Sequence, residues 1–296
     1  MKLLVFGEII YDFYDRKNKF IGGAPLNFAA HMSLLGENSS LISAVGKDDL
    51  GKNAIEAIRG FGVDTRFIAE TDGYETGKCL VLKDERGLPQ YDIVKDVAYD
   101  HIPYPELSGE KYGCFYFGTL ALRCDDNINT VTKILSENSF DEVFTDLNIR
   151  PPFYSEKSIR LCLENSTVVK ISSDELPTVS REIYGGVFET REFCRKLSAE
   201  FKKIRLIIVT LGNKGAYVYD CENSAEYSCP IKEAKVISTT GAGDSFGAAS
   251  LHRYKCGDSI EKCLEFASAY SAFVVSRKDA IPPDTKEFIN SLSENS

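Results

Sequence analysis

The most informative segment of the chain lies towards the carboxyl end, at residues 239–249, and reads Thr239-Thr240-Gly241-Ala242-Gly243-Asp244-Ser245-Phe246-Gly247-Ala248-Ala249. It follows a strand-like run, Lys235–Ile237, and continues into a helix of small residues. The glycines let the backbone approach an anion closely, and the first N–H groups of a helix lack intrahelical acceptors. Together with the positive end of the helix dipole, these groups predict a phosphate site.

Asp244 puts a carboxylate at the same place. A phosphoryl acceptor needs a base that takes its hydroxyl proton, so an anion site beside a carboxylate makes chemical sense. The alternative interpretation is that Asp244 only favours the helix start through the dipole and that the glycines only form a tight turn. The local sequence leaves both interpretations open.

Outward from this stretch, short apolar runs have the character of buried parallel strands: Lys2–Phe6, Ser40–Val45, Cys114–Phe117, Glu142–Thr145, Val168–Ile171 and Leu206–Thr210. Helical patterns lie between them, at Pro25–Leu35, Gly51–Gly60 and Thr190–Lys203. This alternation predicts an α/β fold, with a doubly wound, mostly parallel sheet and helices on both faces. Because no linker-like segment divides the chain, we expect a single domain over 1–296.

Two segments, at about 11–23 and 74–103, interrupt the alternation. In the second, Cys79–Leu82 and Tyr91–Val94 flank the turn-rich Asp84–Pro89 like the arms of a hairpin. We expect both segments to form a small separate β-sheet that acts as a lid, since long excursions in compact domains are usually lids or binding loops. Ordinary surface decoration is the alternative.

The composition excludes several classes of protein. The 35 Lys and Arg against 44 Asp and Glu give a net charge of −9, which disfavours a nucleic-acid partner. The nine cysteines are odd in number and fit no zinc spacing, so we expect reduced thiols. No apolar run approaches the ~20 residues that cross a bilayer. We therefore expect a soluble, cytoplasmic protein with no membrane partner.

A further glycine cluster, Gly22-Gly23-Ala24-Pro25-Leu26-Asn27, leads into the first helical pattern. The Asn27 amide is a candidate for binding sugar hydroxyls, and a solvated helix-start asparagine beside a glycine hinge is the alternative. Gly212–Gly215 is too short for a Walker A loop, and no G-x-G-x-x-G occurs. The three histidines, His31, His101 and His252, are isolated, and we assign them no catalytic role.

Taken together, these segments resemble the ribokinase-like (phosphofructokinase-B type) carbohydrate kinase family over essentially the whole chain. Both family signatures are present in order, in Gly22–Ala29 with Leu35-Gly36 and in Thr239–Phe246. Between and after them lie further family motifs: Val45–Gly51, Gly62–Thr65, Thr76-Gly77, Val209–Gly212 with Gly215-Ala216, and Ala280–Pro282. The resemblance implies ATP-dependent phosphorylation of a sugar hydroxyl.

The resemblance also implies the site residues. Asp244 is expected to be the base, and the turn of Gly241, Ala242 and Gly243 is expected to form an anion hole for the transferring phosphate. Substrate binding is implied for three residues near the amino end: Asp12, Gly23 and Asn27. ATP is expected along Thr210, Gly212, Gly215 and Thr240, with the adenine near the helix around Ala269–Phe273.

Magnesium is implied as well, with Glu175 as its candidate residue. The family has Asn-x-x-Glu here, whereas this chain has Ser172 in place of the asparagine. Ser238 and Asp279 depart from the family pattern near its monovalent-cation site, which leaves potassium activation open. These three departures motivate an alternative of a different class, a non-catalytic sugar or nucleotide sensor.

The run Asp146-Leu147-Asn148-Ile149-Arg150 is similar to the fructokinase branch, so fructose is the first expected substrate. Arg150 is a candidate for steadying phosphate or an acidic substrate group, which keeps a 2-keto-3-deoxygluconate kinase as the alternative. A loop-fixing pair with Asp146 is the structural alternative for Arg150. Arg123 and Lys170 are further cationic candidates, Lys170 on the ATP side, and each is as readily a solvated surface charge.

The two lid segments leave sheet edges that would be exposed in a monomer. Pairing lids across a two-fold axis covers such edges, as in the family that the chain resembles. We therefore expect a homodimer that forms through the lids.

Overall fold

The computed structural model describes residues 1–15, 18–83, 89–107 and 109–294. Within these ranges the strands are β1 Lys2–Phe6, β2 Ile10–Phe13, β3 Lys19–Gly22, β4 Asn38–Gly46, β5 Ile68–Thr71, β6 Gly77–Lys83, β7 Pro89–Ile93, β8 Cys114–Gly118, β9 Glu142–Asp146, β10 Val168–Ser172, β11 Leu206–Thr210, β12 Ala216–Asp220 and β13 Ala225–Cys229. The α-helices are α1 Ala24–Leu34, α2 Asp49–Gly60, α3 Asp125–Glu137, α4 Glu156–Asn165, α5 Leu176–Tyr184, α6 Thr190–Glu200, α7 Ala242–Lys255, α8 Ile260–Val275 and α9 Thr285–Glu294.

The larger sheet has the strand order β13-β12-β11-β10-β9-β8-β1-β4-β5. Its strands from β11 through to β5 are parallel, and β12 and β13 add an antiparallel edge. Each of the six predicted apolar runs lies inside an observed strand, so the α/β prediction is confirmed. Of the additional strands, β5 and β13 form the two edges of the sheet and β12 lies next to β13. Strand β13 has the mixed sequence Ala-Glu-Tyr-Ser-Cys, which no apolar pattern predicts.

Alternating side chains of the central strands divide the core into two layers. Leu3 and Val5 of β1 pack with α1, α2, α7 and α8, whereas Leu4 and Phe6 pack with α3, α4, α5 and α6. Helices therefore cover both faces of the sheet, as predicted. None of the helices in the described ranges combines the length and the apolar character that a bilayer span requires.

A second sheet has the order β3-β2-β6-β7. The predicted hairpin arms pair antiparallel as β6 and β7, with Val81 opposite Tyr91, and β2 joins β6 in parallel. Residues 84–88 of the predicted turn lie outside the described residues. The small separate sheet that the interrupted pattern predicted is thus present.

Two local predictions are wrong. Lys235–Ile237 forms no strand, because the N–H of Ile237 donates to the carbonyl of Val275 at the end of α8, and β13 already occupies the sheet edge. The helix predicted over Thr190–Lys203 ends at Glu200, where Phe201 leaves helical geometry and turns into the core.

Candidate active site

Two helix starts meet beside the carboxyl ends of the central strands. Helix α1 begins after Gly23, which has φ 114°, and α7 begins after Gly241, which has φ 80°. Both are backbone conformations that favour glycine. Asn27, in the first turn of α1, donates from Nδ2 to Oδ2 of Asp244, in the first turn of α7, at 2.8 Å. The structure therefore brings together the two signatures that the sequence separates by 217 positions.

The second amide atom of Asn27 has no partner. Its side chain is 4% exposed, and its Oδ1 is buried without a hydrogen bond in the described part of the chain. Buried polar atoms are nearly always satisfied in folded proteins, so an unpaired acceptor beside a cleft fits a donor from a ligand. This contradicts the alternative of a solvated helix-start asparagine.

The Asp244 carboxyl is partly buried, and its surroundings oppose ionisation. Burial first, and then the charge of Asp146, raise the pKa of Asp244 from 3.8 to about 6. Lys170, the Asn27 hydrogen bond and Arg150 act in the opposite direction. A carboxyl with a pKa near 6 is ionised at neutral pH and is basic enough to accept a proton from a hydroxyl that is losing it.

The turn before α7 has the features of an anion site, with one qualification. The N–H of Gly243 has no acceptor among the described residues, whereas the N–H of Ala242 donates to the carbonyl of Thr239 at 3.2 Å. The Ala242 carbonyl accepts from the hydroxyls of Ser245 and Ser271, each at 3.0 Å. These bonds hold the peptide between residues 242 and 243, whose N–H has no acceptor in the described part of the chain.

Lys170 lies directly behind this turn. It is 5% exposed, and its Nζ donates to Oδ2 of Asp146 at 2.6 Å, since the two residues are opposite each other on β10 and β9. A Cβ added at Gly243 would lie 3.1 Å from the Lys170 Nζ, and one at Gly247 would lie 3.3 Å from its Cδ. The glycines of α7 therefore leave room for the lysine. Its interpretation as a solvated surface charge is wrong.

The Asp146–Lys170 pair also excludes the proposed loop-fixing pair of Asp146 with Arg150. Arg150 is exposed and makes no ion pair in the described ranges. Arg123 is not a solvated charge either. Its side chain is buried and forms a two-pronged ion pair with Asp100, and its guanidinium lies 4.8 Å from the ring centre of Phe153.

Glu175 lies partly buried after β10. Its Oε2 accepts from the N–H of Ser172 at 3.0 Å, and the Ser172 hydroxyl accepts from the N–H of Glu175 at 3.3 Å. Burial and the charge of Asp146 raise the pKa of Glu175. No cluster of three or more metal-ligating side chains occurs in the described part of the chain. The oxygen donors here fit Mg²⁺, which keeps most of its waters and needs few direct protein ligands.

These groups line one cleft with a volume of about 1590 Å³. Among the predicted site residues, the cleft is lined by Asp12, Gly23, Asn27, Arg150, Lys170, Glu175, Thr210, Thr240, Gly241, Gly243 and Asp244. Gly212 and Gly215 lie in the β11–β12 turn, outside this lining, and the same holds for 269–273 on α8. Asp12, on β2, brings the small sheet to the cleft, and burial raises the pKa of its carboxyl.

Several lining residues were not singled out as site residues from the sequence. Glu8 is 2% exposed, and burial, followed by the charge of Asp244, raises its pKa to about 7. Its position, directly after the first buried strand, is the signal that would have found it, because ligands bind at the carboxyl ends of parallel strands. Asn148, Tyr14 and Tyr91 also line the cleft. Tyr91 lies on β7 of the small sheet and Tyr14 directly follows β2, so only the fold determines where both are placed.

Comparison with known proteins shows what the chain resembles. The model of the pfkB family of carbohydrate kinases matches residues 2–287. The ATP-dependent 6-phosphofructokinase of Thermoanaerobacterium thermosaccharolyticum is 27% identical over 269 residues, which cover 88% of this chain and 80% of that protein. The Arabidopsis thaliana protein named Probable fructokinase-3 is 25% identical over 309 residues, which cover 95% and 87%.

Superposition on a solved structure supports the same family fold. An uncharacterized sugar kinase from Pyrococcus horikoshii, in complex with ATP, superposes with a TM-score of 0.77 at 27% identity. The match covers 95% of this chain and 94% of that one. The predicted ribokinase-like fold is therefore confirmed.

Proposed function

Because the chain belongs to the pfkB family of carbohydrate kinases, and is thus a phosphotransferase acting on a sugar hydroxyl, we propose that it phosphorylates fructose with ATP as the donor. The proposal of fructose rests on the Asp146–Arg150 segment, in which Asp146, Asn148 and Arg150 all line the cleft.

One observation carries the proposed chemistry. Asn27 binds Asp244 through Nδ2 and keeps a buried, unpaired Oδ1 at the cleft. A sugar hydroxyl that donates to Oδ1 is held next to the Asp244 carboxylate. In this arrangement Asp244 takes the proton from the attacking hydroxyl oxygen, and the oxygen attacks the terminal phosphorus of ATP.

The remaining predicted residues have supporting roles in this proposal. Gly241, Ala242 and Gly243 bind the transferring phosphate through their backbone, for which Ala242 must release Thr239. Asp12 and Arg150 bind further sugar oxygens. Gly23 has an indirect role, because it allows the backbone to pass close to Glu8. A Cβ at this position would lie 2.5 Å from the carbonyl oxygen of Glu8.

On the nucleotide side, Thr210 and Thr240 line the cleft and Lys170 lies against the anion-binding turn, which supports their assignment to ATP. Gly212, Gly215 and the α8 segment 269–273 are assigned to the nucleotide by the family resemblance. Glu175 would hold Mg²⁺ through its water shell. Bound there, Mg²⁺ would neutralise charge on the phosphate oxygens. Activation by K⁺ near Ser238 and Asp279 is tested by the same assay.

A specific feature of the cleft favours a neutral acceptor over 2-keto-3-deoxygluconate. Glu8, Asp12 and Asp244 line the acceptor end, and the cleft lining also includes the cations Arg150 and Lys278, which have no ion-pair partner in the described ranges. Like charges disfavour an anionic substrate at this position. The keto acid remains the second candidate, because Arg150 is free to bind a carboxylate.

The arrangement of the whole molecule extends the proposal. We propose one kinase domain over 1–296 in which the small sheet, from the segments at about 11–23 and 74–103, closes over the sugar. The protein would act in the cytoplasm as a homodimer that forms through these lids.

The test is ATP-dependent ADP release with fructose, 2-keto-3-deoxygluconate, ribose, fructose 1-phosphate and a nucleoside, with and without K⁺. The variant Asp244→Asn is run in parallel, and Asp49→Asn, which removes an exposed first-turn acid of α2, is its matched control. We expect fructose to dominate and Asp244→Asn to lose about 10²–10⁴ in kcat, the usual contribution of a general base. A dominant acidic acceptor, or nucleotide binding without turnover as the sensor alternative predicts, contradicts the proposal.

A further inference from the structure

His31, which the sequence presents as isolated, is embedded between three elements. It lies on α1 one helical turn after Asn27 and is fully buried. Its Nδ1 is 3.0 Å from the hydroxyl of Tyr270 on α8, and its Nε2 is 2.9 Å from the carbonyl oxygen of Ala280. The Tyr270 ring packs against it edge to face, with the ring centres 5.5 Å apart.

These partners fix the state of the ring. A carbonyl oxygen can only accept, so Nε2 carries the hydrogen and donates it to Ala280, and the Tyr270 hydroxyl donates to Nδ1. Burial lowers the pKa of His31 to about 4, so the imidazole is neutral at the pH of any ordinary assay. A neutral imidazole with both nitrogens bonded is a rigid spacer between α8 and the 280 segment.

The anion-binding turn packs directly against Ala280. A Cβ at Gly241 would lie 2.9 Å from both the Cβ and the carbonyl oxygen of Ala280. The backbone at residue 241 therefore approaches Ala280 as closely as a glycine allows. Any rotation of the Ala280 peptide, whose oxygen is bonded to His31, would shift the turn that carries the N–H groups of residues 242 and 243.

We propose that His31 is a positioning residue for phosphoryl transfer, which fixes the Ala280 carbonyl and thereby the depth of the anion-binding turn. The inference rests on the proposed function, in which this turn receives the transferring phosphate. Helix α1 then carries two positioning residues on successive turns. Asn27 orients the base, Asp244, and His31 orients the anion-binding turn.

The test compares two amide variants that differ in reach. In His31→Gln the amide nitrogen stands at the position of Nε2 and can still donate to Ala280, whereas in His31→Asn it stands at the position of Nδ1 and cannot. We expect His31→Asn to lower kcat by about 10- to 100-fold with an unchanged KM for the sugar, because small misplacements cost that much in rate. His31→Gln should restore kcat. His252→Asn, which changes a histidine bonded to Glu37 elsewhere in the body, should leave kcat unchanged.

A readout independent of activity is amide hydrogen exchange over residues 239–243, which should be faster in His31→Asn and normal in His31→Gln. Equal kcat and equal exchange in all variants would overturn the inference, and so would an equal loss in the Gln and Asn variants, which indicates simple core packing. If the wild-type protein phosphorylates no acceptor, the proposed function fails, and the exchange comparison alone decides the role of His31.

Discussion

At the scale of single residues, three carboxyl groups of the cleft differ because their neighbours differ. Asp146 is buried and paired with Lys170, whereas burial raises the pKa of Glu8 to about 7 and that of Asp244 to about 6. The hydrogen bond from Asn27 is one of the interactions that keep the pKa of Asp244 from rising further. Asn27 therefore lowers the pKa of Asp244, in addition to the sugar contact that we propose for it.

This assignment predicts the pH dependence of the reaction. The pKa of Asp244 is raised to about 6 and its carboxylate is the active form, so kcat/KM should fall about tenfold per pH unit below 6. Asn27→Leu removes a bond that stabilises the carboxylate, so the same decline should begin at a higher pH. The measurement is a pH–rate profile of both proteins. Glu8→Gln is the control, because a decline that disappears in this variant would belong to Glu8 instead.

The Lys170–Asp146 pair predicts a large effect on stability. Both side chains are almost fully buried, with 6% and 4% exposure, so Lys170→Met leaves an unpaired charge and should cost about 3–5 kcal/mol. The exposed pair of Lys157 and Asp125 is the matched control, and Lys157→Met should cost under about 1 kcal/mol. Urea unfolding of the variants measures both values. Equally small losses of unfolding free energy in the two variants would contradict a large contribution of the buried pair to stability.

At the scale of elements, the starts of α1 and α7 determine the site because each begins at a glycine in a conformation that L side chains rarely adopt. At α7 the need for glycine has two sources, the positive φ of Gly241 and its contact with Ala280. Gly257, just beyond the end of the same helix, has φ 84° but no neighbour within 4 Å of an added Cβ. A comparison of substitutions at the two positions therefore separates the cost of backbone strain from the cost of the contact with Ala280.

Gly257→Ala should therefore cost about 1 kcal/mol, the strain alone. Gly241→Ala should cost more, because the Ala280 backbone must move, and it should also abolish most of the phosphoryl transfer. Thermal unfolding and ADP release measure the two effects. Equal stability losses with retained activity in Gly241→Ala would show that the turn tolerates displacement and would weaken its role as the anion site.

At the scale of the whole molecule, the small sheet has two different faces. Asp12, Cys79 and Tyr91 lie towards the cleft, whereas Leu80 and Leu82 lie on the opposite face and are 39% and 53% exposed. Exposed aliphatic side chains on a small, uncovered sheet favour association with another surface. A second copy of the same sheet would cover them across a two-fold axis.

Light scattering should accordingly give about twice the chain mass of 32.9 kDa. Leu82→Lys should shift the protein to the monomer, because it puts like charges opposite each other across the axis. Val187→Lys changes an equally exposed aliphatic residue, at 55%, outside the sheet and should leave the mass unchanged. A wild-type mass of one chain would contradict the dimer.

The sequence alone was enough to predict the parallel sheet, the two helices that begin after Gly23 and Gly241, and the position of Asp244 at the start of the second helix. These features depend on local patterns, such as apolar runs, glycines and helix starts, which the physics of a short segment fixes. Even the small sheet was visible as an interruption of the alternation.

Which charged side chains form ion pairs depends on the tertiary structure. Lys170 lies in a run that the sequence predicts to be a buried strand, but no local pattern names its partner. Arg123 has no local signal for burial. The strand register and the packing of the core give each of them a carboxylate partner. His31 has no neighbour of its kind in the sequence, and its partners are 239 and 249 positions away. Such contacts depend on the sum of many packing interactions along the chain, so no local pattern predicts them.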